Sequence, residues 1–244
     1  MLNDQKSILV GQAVFTSSRG SGGRGYHLVA RSPEICEPLA RHLSRWGPAH
    51  GSLLTDDRDG SSFNYTPIDN EWVTVSRTLY GGPEYSRRGT LQVVTVILAL
   101  RYEQLSGYDN NPLMLARTAM LLGYLRLSAN LSEQLPDLHL PAAPPHAVVT
   151  RQRLESRCDA LLVRSIELLN QGDRIALNAE RAASTILEML IENTAKARRL
   201  QLSFTTGLNP SPERLFRVHL LPMVNSRIHS QLTALGIRFV ASTA

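Results

Sequence analysis

Lysine is all but missing from this chain. Lys6 and Lys196 are the only two in 244 residues, and the rest of the 26 basic residues are arginine. A nucleotide-binding loop of the GxxxxGK[ST] type needs a lysine that reaches the phosphates, and none lies near the glycine-rich loop Gly20 to Gly25. That loop also leads from one expected strand into another rather than into a helix, so NTP hydrolysis by the chain alone is not expected. Cysteine is equally scarce. Cys36 and Cys158 are too far apart for a CxxC pair or a metal-ligand cluster, and both are expected to be reduced thiols in the core. Runs of basic charge are absent too: Arg87-Arg88 and Arg198-Arg199 are the only adjacent pairs. With aromatics at 6%, no basic stripe with stacking rings can be read, which leaves nucleic-acid binding a weak alternative. The longest apolar run, Leu91 to Leu100, is interrupted by Gln92 and Thr95 and falls well short of the ~20 residues of a membrane span. No secretory leader is visible at the N-terminus. A cytoplasmic location and no membrane contact are expected.

What is present is the make-up of a folded protein. At 43% hydrophobic and 19% charged residues the chain matches globular averages, and its length suits one large domain or two small ones. The net charge is +5. The bias to arginine reads either as a compositional habit or as a surface for carboxylates and phosphates, which the planar guanidinium recognises well.

The first third reads as extended structure. Ile8 to Thr16 and Tyr26 to Arg31 are expected strands, and Glu71 to Tyr80 alternates Val73, Val75, Arg77 and Leu79 with Trp72, Thr74, Ser76 and Thr78. Gly51 to Ser62 reads as a loop. Leu91 to Leu100 is a buried strand or the first turns of a helix. Ser32-Pro33-Glu34 carries a cap-plus-proline signal for a helix with Ile35, Cys36, Leu39, Leu43 and Trp46 on one side, stopped by Gly47-Pro48. Asn111-Pro112 repeats the signal before Leu113 to Leu127, which is apolar on most sides and needs a partner for Arg117.

Leu135 to Pro145 holds four prolines and reads as a linker, giving a division into an N-terminal α+β region (1–134), a proline-rich linker (135–147) and a second region (148–244). In the second region, Arg151 to Leu169 and Ala179 to Ala197 are expected amphipathic helices, with Glu192 and Lys196 placed to pair. Leu200 to Thr205 and Phe216 to Leu220 are expected to form a hairpin with one wet face, on which His219 is solvated. A short helix from Ile228 to Leu235 and a strand, Ile237 to Ala241, end the chain. The fold class is therefore α+β, with mostly antiparallel strands and several amphipathic helices.

Chemistry is hard to find. His27, His42, His50, His139, His146, His219 and His229 share no metal-ligand spacing, and neither GxSxG nor SxxK occurs. No catalytic, metal or cofactor residue is singled out, no cofactor is expected, and catalysis is not expected. A hydrolase or transferase whose site is assembled from distant residues is the alternative.

Three stretches carry a resemblance. Gly11-Gln12-Ala13-Val14-Phe15-Thr16-Ser17-Ser18, followed by Gly25-Tyr26-His27-Leu28-Val29-Ala30-Arg31-Ser32-Pro33, resembles the opening of the N-terminal domain of the bacterial GTPase-associated protein family. The Asn111-Pro112 helix start and the segment Leu202-Ser203-Phe204-Thr205-Thr206-Gly207-Leu208-Asn209-Pro210-Ser211 are similar to later regions of that family. The resemblance implies a non-enzymatic adaptor encoded beside a small GTPase in an NTP-dependent conflict or signalling system, and a short form of a family whose larger members carry further domains. It brings no catalytic residue. On this reading the chain is a protein-interaction module, with Arg24, Tyr26, Tyr85, Arg87, Arg88, Arg214 and Arg217 as the partner-binding candidates, since arginine and tyrosine are frequent interface anchors.

Overall fold

A computed structural model describes residues 7–18, 25–55, 59–84, 91–127, 132–142, 156–179 and 183–241, with only the backbone of 156–159. Its centre is β5 (Leu91–Arg101), which pairs along nearly its whole length with β4 (Trp72–Pro83) on one side and over Val94 to Ala99 with β1 (Ser7–Ser18) on the other. Flanked on both sides, β5 buries both of its faces, which is why its sequence is apolar without alternation and why the strand wins over a helix. β1 also pairs with β2 (Gly25–Arg31), and its start pairs with β6 (Leu138–Pro141). The proline-rich stretch thus contributes a strand, while 143–150 fall outside the described residues.

β3 (Ser61–Ile68) joins β4 as a hairpin whose turn holds Asp69 in the left-handed region, φ 54°. The expected loop, Gly51 to Ser62, overlaps only the first two residues of this strand, and the sequence reading assigns nothing to 63–68. Pro67 is tolerated there because it lies beyond Asn64 and Tyr65, the only residues that β8 (Phe204–Thr205) reaches.

The remaining strands are β7 (Arg174–Asn178), β9 (Val218–Leu221) and β10 (Ile237–Val240). The sheet of ten strands runs β10-β7-β9-β8-β3-β4-β5-β1-β2, with β6 on β1. Pairing of β3 with β8 brings strands from both sides of the proline-rich stretch into that sheet. The α+β class and the predominance of antiparallel pairing both hold, but the C-terminal strands differ from expectation. β8 and β9 run parallel, as do β9 with β7 and β7 with β10. The expected hairpin is absent because the connection 206–217 is long enough to return the chain to the starting end of the sheet. β7 itself lies in a stretch that carries no strand in the sequence reading.

Helix boundaries follow the caps. Ser32 is spent before it can cap: its hydroxyl accepts from the N–H of Gln12 at 2.9 Å. α1 therefore starts later, at Glu37–Trp46, with Pro38 in its first turn and Cys36 at the cap position. Cys36 is an exposed free thiol, not a core one, because it sits outside the apolar stripe of Leu39, Ala40, Leu43 and Trp46. The Cys158 side chain falls outside the described residues. Asn111 caps α2 (Pro112–Leu121) as expected, accepting from the N–H groups of Leu113 and Met114 at 2.9 and 3.3 Å. The helix ends six residues early, where Gly123 (φ 89°) and Leu125 (φ 57°) reverse the backbone, and Leu121 is left 87% exposed. Arg117 finds its partner in Glu188. α3 (Ser156–Asn170), α4 (Ala183–Glu192), a short α5 (Lys196–Arg199) and α6 (Ser226–Ala234) complete the fold. Since α4 stops at Glu192, Lys196 does not pair with it and bonds Asp109 instead, next to Arg199.

The largest core lies on one face of the sheet. Tyr65, Val73, Val75, Leu98, Leu100, Ile175, Leu177, Val218 and Leu220 pack there against Leu105, Leu115, Leu168, Leu187 and Leu190. Smaller clusters occupy the other face, under α1 (Phe15, Leu39, Leu43), under α6 (Leu221, Ile228, Leu232) and around Trp46, Leu53, Leu208 and Phe216.

Candidate functional site

Between those smaller clusters, the second face of β8, β3, β4 and β5 is buried but polar. Period-two alternation puts Ser62, Asn64, Ser76, Thr78, Thr95 and Thr205 on it, each between 0 and 1% exposed. Asn64 is the hub. Its Oδ1 accepts from Thr205 Oγ1 (2.7 Å) and Ser62 Oγ (2.8 Å), and its Nδ2 donates to Ser76 Oγ and Thr78 Oγ1 (both 3.3 Å). Thr78 and Thr95 share a further bond at 3.0 Å, and the N–H of Leu208 closes the end on Thr205 at 3.2 Å. Neutral hydroxyls and an amide with their bonds made among themselves have no base to activate them. This ladder fixes the pairing of four strands.

His219 lies at its flank, opposite Thr205 in the β8–β9 pairing and opposite Ala176 in β7. It is buried, not solvated, because Phe216 packs edge-on against its ring at 5.6 Å. Burial, with a smaller contribution from nearby Arg174, pushes its pKa down to about 4. Neither ring nitrogen has a hydrogen-bond partner among the described residues. The Thr205 hydroxyl across from it is already bonded to Asn64 and Ser62, and the neutral ring packs against Phe216. Among the described residues no three His, Cys, Asp or Glu side chains gather in a way that could hold a metal ion.

The accessible feature is elsewhere. β2 is the last strand of the sheet, and between it and α1 runs an open groove of about 710 Å³. Helical spacing puts Glu37, Arg41, Ser44 and Arg45 on the face of α1 that lines this groove, opposite the stripe that enters the core. From β2 come His27, held by the Gly25 carbonyl at 2.9 Å and Ser18 Oγ at 3.3 Å, and Arg31, paired with Glu37 at 2.9 Å. Arg41 and Arg45 are exposed and make no ion pair among the described residues. The groove therefore mixes an apolar floor from Leu28, Val29, Ala30 and Ala40 with three arginines against two glutamates.

Of the partner-binding candidates read from sequence, Arg24, Tyr85, Arg87 and Arg88 lie outside the described residues. Tyr26, on β2, is anchored inward, its ring stacked 6.1 Å from Phe15 and its hydroxyl accepting from the N–H of Val93 at 3.2 Å. Arg214 is only 7% exposed and donates to Ser52 Oγ at 3.3 Å, and burial lowers its pKa. Arg217 donates to the Leu169 carbonyl at 2.6 Å, closing the C-terminal end of α3. Among the three described candidates, Arg214 and Arg217 bond within the protein on the far side of the proline-rich stretch from Tyr26 in sequence. Arg41 and Arg45 were missed although their signal was present: two arginines one turn apart, opposite the apolar stripe of α1.

Residues 9–140, from β1 to β6, match the family described as GTPase-associated protein 1, N-terminal domain type 2. The match takes in the two opening stretches and Asn111-Pro112, and ends before Leu202 to Ser211. No curated protein and no solved structure matches the chain.

Proposed function

Because the chain belongs to the family GTPase-associated protein 1, N-terminal domain type 2, we propose that it is a non-enzymatic adaptor that binds a small GTPase of a bacterial conflict or signalling system in the cytoplasm. The family match carries this reading. The groove between β2 and α1 supports the protein-binding part of it, since an open, arginine-lined surface offers contacts to a protein. No described helix is long and apolar enough to cross a membrane.

The test is a calorimetric titration of the full chain with a small GTPase from the same bacterium, loaded with GDP or with a non-hydrolysable GTP analogue. A one-to-one complex tighter than about 10 μM in at least one nucleotide state is expected, a typical strength for transient partners. The chain alone should release no phosphate from GTP. Absence of heat in both nucleotide states overturns the reading.

A further inference from the structure

The edge of β2 already holds one added segment. The N–H of Arg31 donates to the Glu133 carbonyl at 3.2 Å, and its carbonyl accepts from the N–H of Leu135 at 3.0 Å, so Gln134 pairs with Arg31 in parallel. Upstream, Gly25 to Ala30 have no strand on that side among the described residues. An unpaired edge is a template for another chain, and proteins normally blunt it with proline, inward charge or a covering element. β2 has no proline, and its groove stands open beside the outer face of α1.

We propose that this groove receives an extended acidic segment of the partner protein, which lies along the side of β2 where Gly25 to Ala30 have no pairing strand among the described residues and sets two carboxylates against Arg41 and Arg45. The inference rests on the adaptor reading and names the chemistry the partner must bring. Alternate side chains of a strand lie ~6.7 Å apart, and residues one helical turn apart are separated by ~6 Å along the axis, so carboxylates at positions i and i+2 are spaced like the two arginines. Charge fixes the sign of the occupant. Of the two glutamates lining the groove, Glu37 is taken by Arg31 and Glu133 is engaged within the protein, while Arg41 and Arg45 make no ion pair among the described residues. The opposite edge, β10, is a poorer receiver: it has four residues, and its arginine, Arg238, is already paired with Asp173.

The probe is a fluorescein-labelled nine-residue peptide alternating glutamate and valine, titrated into the full chain and followed by anisotropy. Saturable binding is expected, with a lysine–valine peptide at least tenfold weaker. The double variant Arg41→Glu/Arg45→Glu should weaken the acidic peptide at least tenfold, and Arg227→Glu, an exposed arginine on α6, should leave it within twofold. Methylation of alternate peptide nitrogens should abolish binding, since strand addition uses those N–H groups. Equal binding of both peptides, or equal loss with Arg227→Glu, overturns the proposal. The same double variant is then titrated with the small GTPase. Unchanged GTPase affinity sinks the groove and leaves the adaptor standing. No GTPase binding by the wild type, together with the full peptide pattern, sinks the adaptor and leaves the groove.

Discussion

On one face of β3, β4 and β5 lie Tyr65, Val73, Val75, Leu98 and Leu100; on the other lie Ser62, Asn64, Ser76, Thr78 and Thr95, and water reaches neither set. The first face is held by removal of apolar area and by close packing, which act without direction and tolerate changes that keep volume. The second is held by bonds that each need a particular neighbour at a particular register. A slip of one residue along β3 would swap the two sets, burying hydroxyls against leucines and leaving Asn64 with no partner. The apolar face supplies most of the stability, and the polar face makes this pairing the one the chain adopts.

The comparison can be broken first on the apolar side. Leu98→Ala empties a fully buried site in the largest core, and chemical denaturation should show a loss of about 3–4 kcal/mol. The next effect comes from His219. Its folded pKa, about 4, lies below the ordinary 6.5, so between those values the unfolded chain binds more protons than the folded one. Stability should hold above about pH 6.5, fall by about 3 kcal/mol as pH drops to 4, and level off below that. A denaturation series for His219→Leu that retained the same pH slope would show that other groups cause it. Asn64→Leu keeps most of the volume but orphans the hydroxyls that Asn64 joins, so a loss of about 2 kcal/mol is expected. A neutral result there would reduce the ladder to ordinary packing. Smallest of all, Arg41→Glu/Arg45→Glu touches neither face and should leave stability within about 0.5 kcal/mol of wild type.

What could be read from sequence follows the same division. β4 announces itself by alternation, β1 and β2 by the turn-rich loop between them, and the Asn111 cap by a local bond to two nearby N–H groups. β3 does not, because its polar residues look like a wet face or a loop and only the covering residues, distant in sequence, make that face dry. His219 shows the limit clearly: the alternation of β9 is right, yet Phe216 and the strands beside it decide what lies outside. The parallel pairing of β7, β8, β9 and β10 is likewise a matter of which strands meet, and no local pattern records it. In the groove the arginines of α1 were legible one turn apart, whereas the open edge of β2 exists only once the sheet order is known.

Joining β8 to β3 has a practical outcome for anyone trimming the protein. A fragment cut at residue 140, where the family match ends, would shed β8 and strip the outer flank of β3, baring Ser62 and Asn64 together with a row of unpaired main-chain groups. Such a piece would be sticky in solution through its own raw border, and self-association seen with it would report the scissors, not the biology.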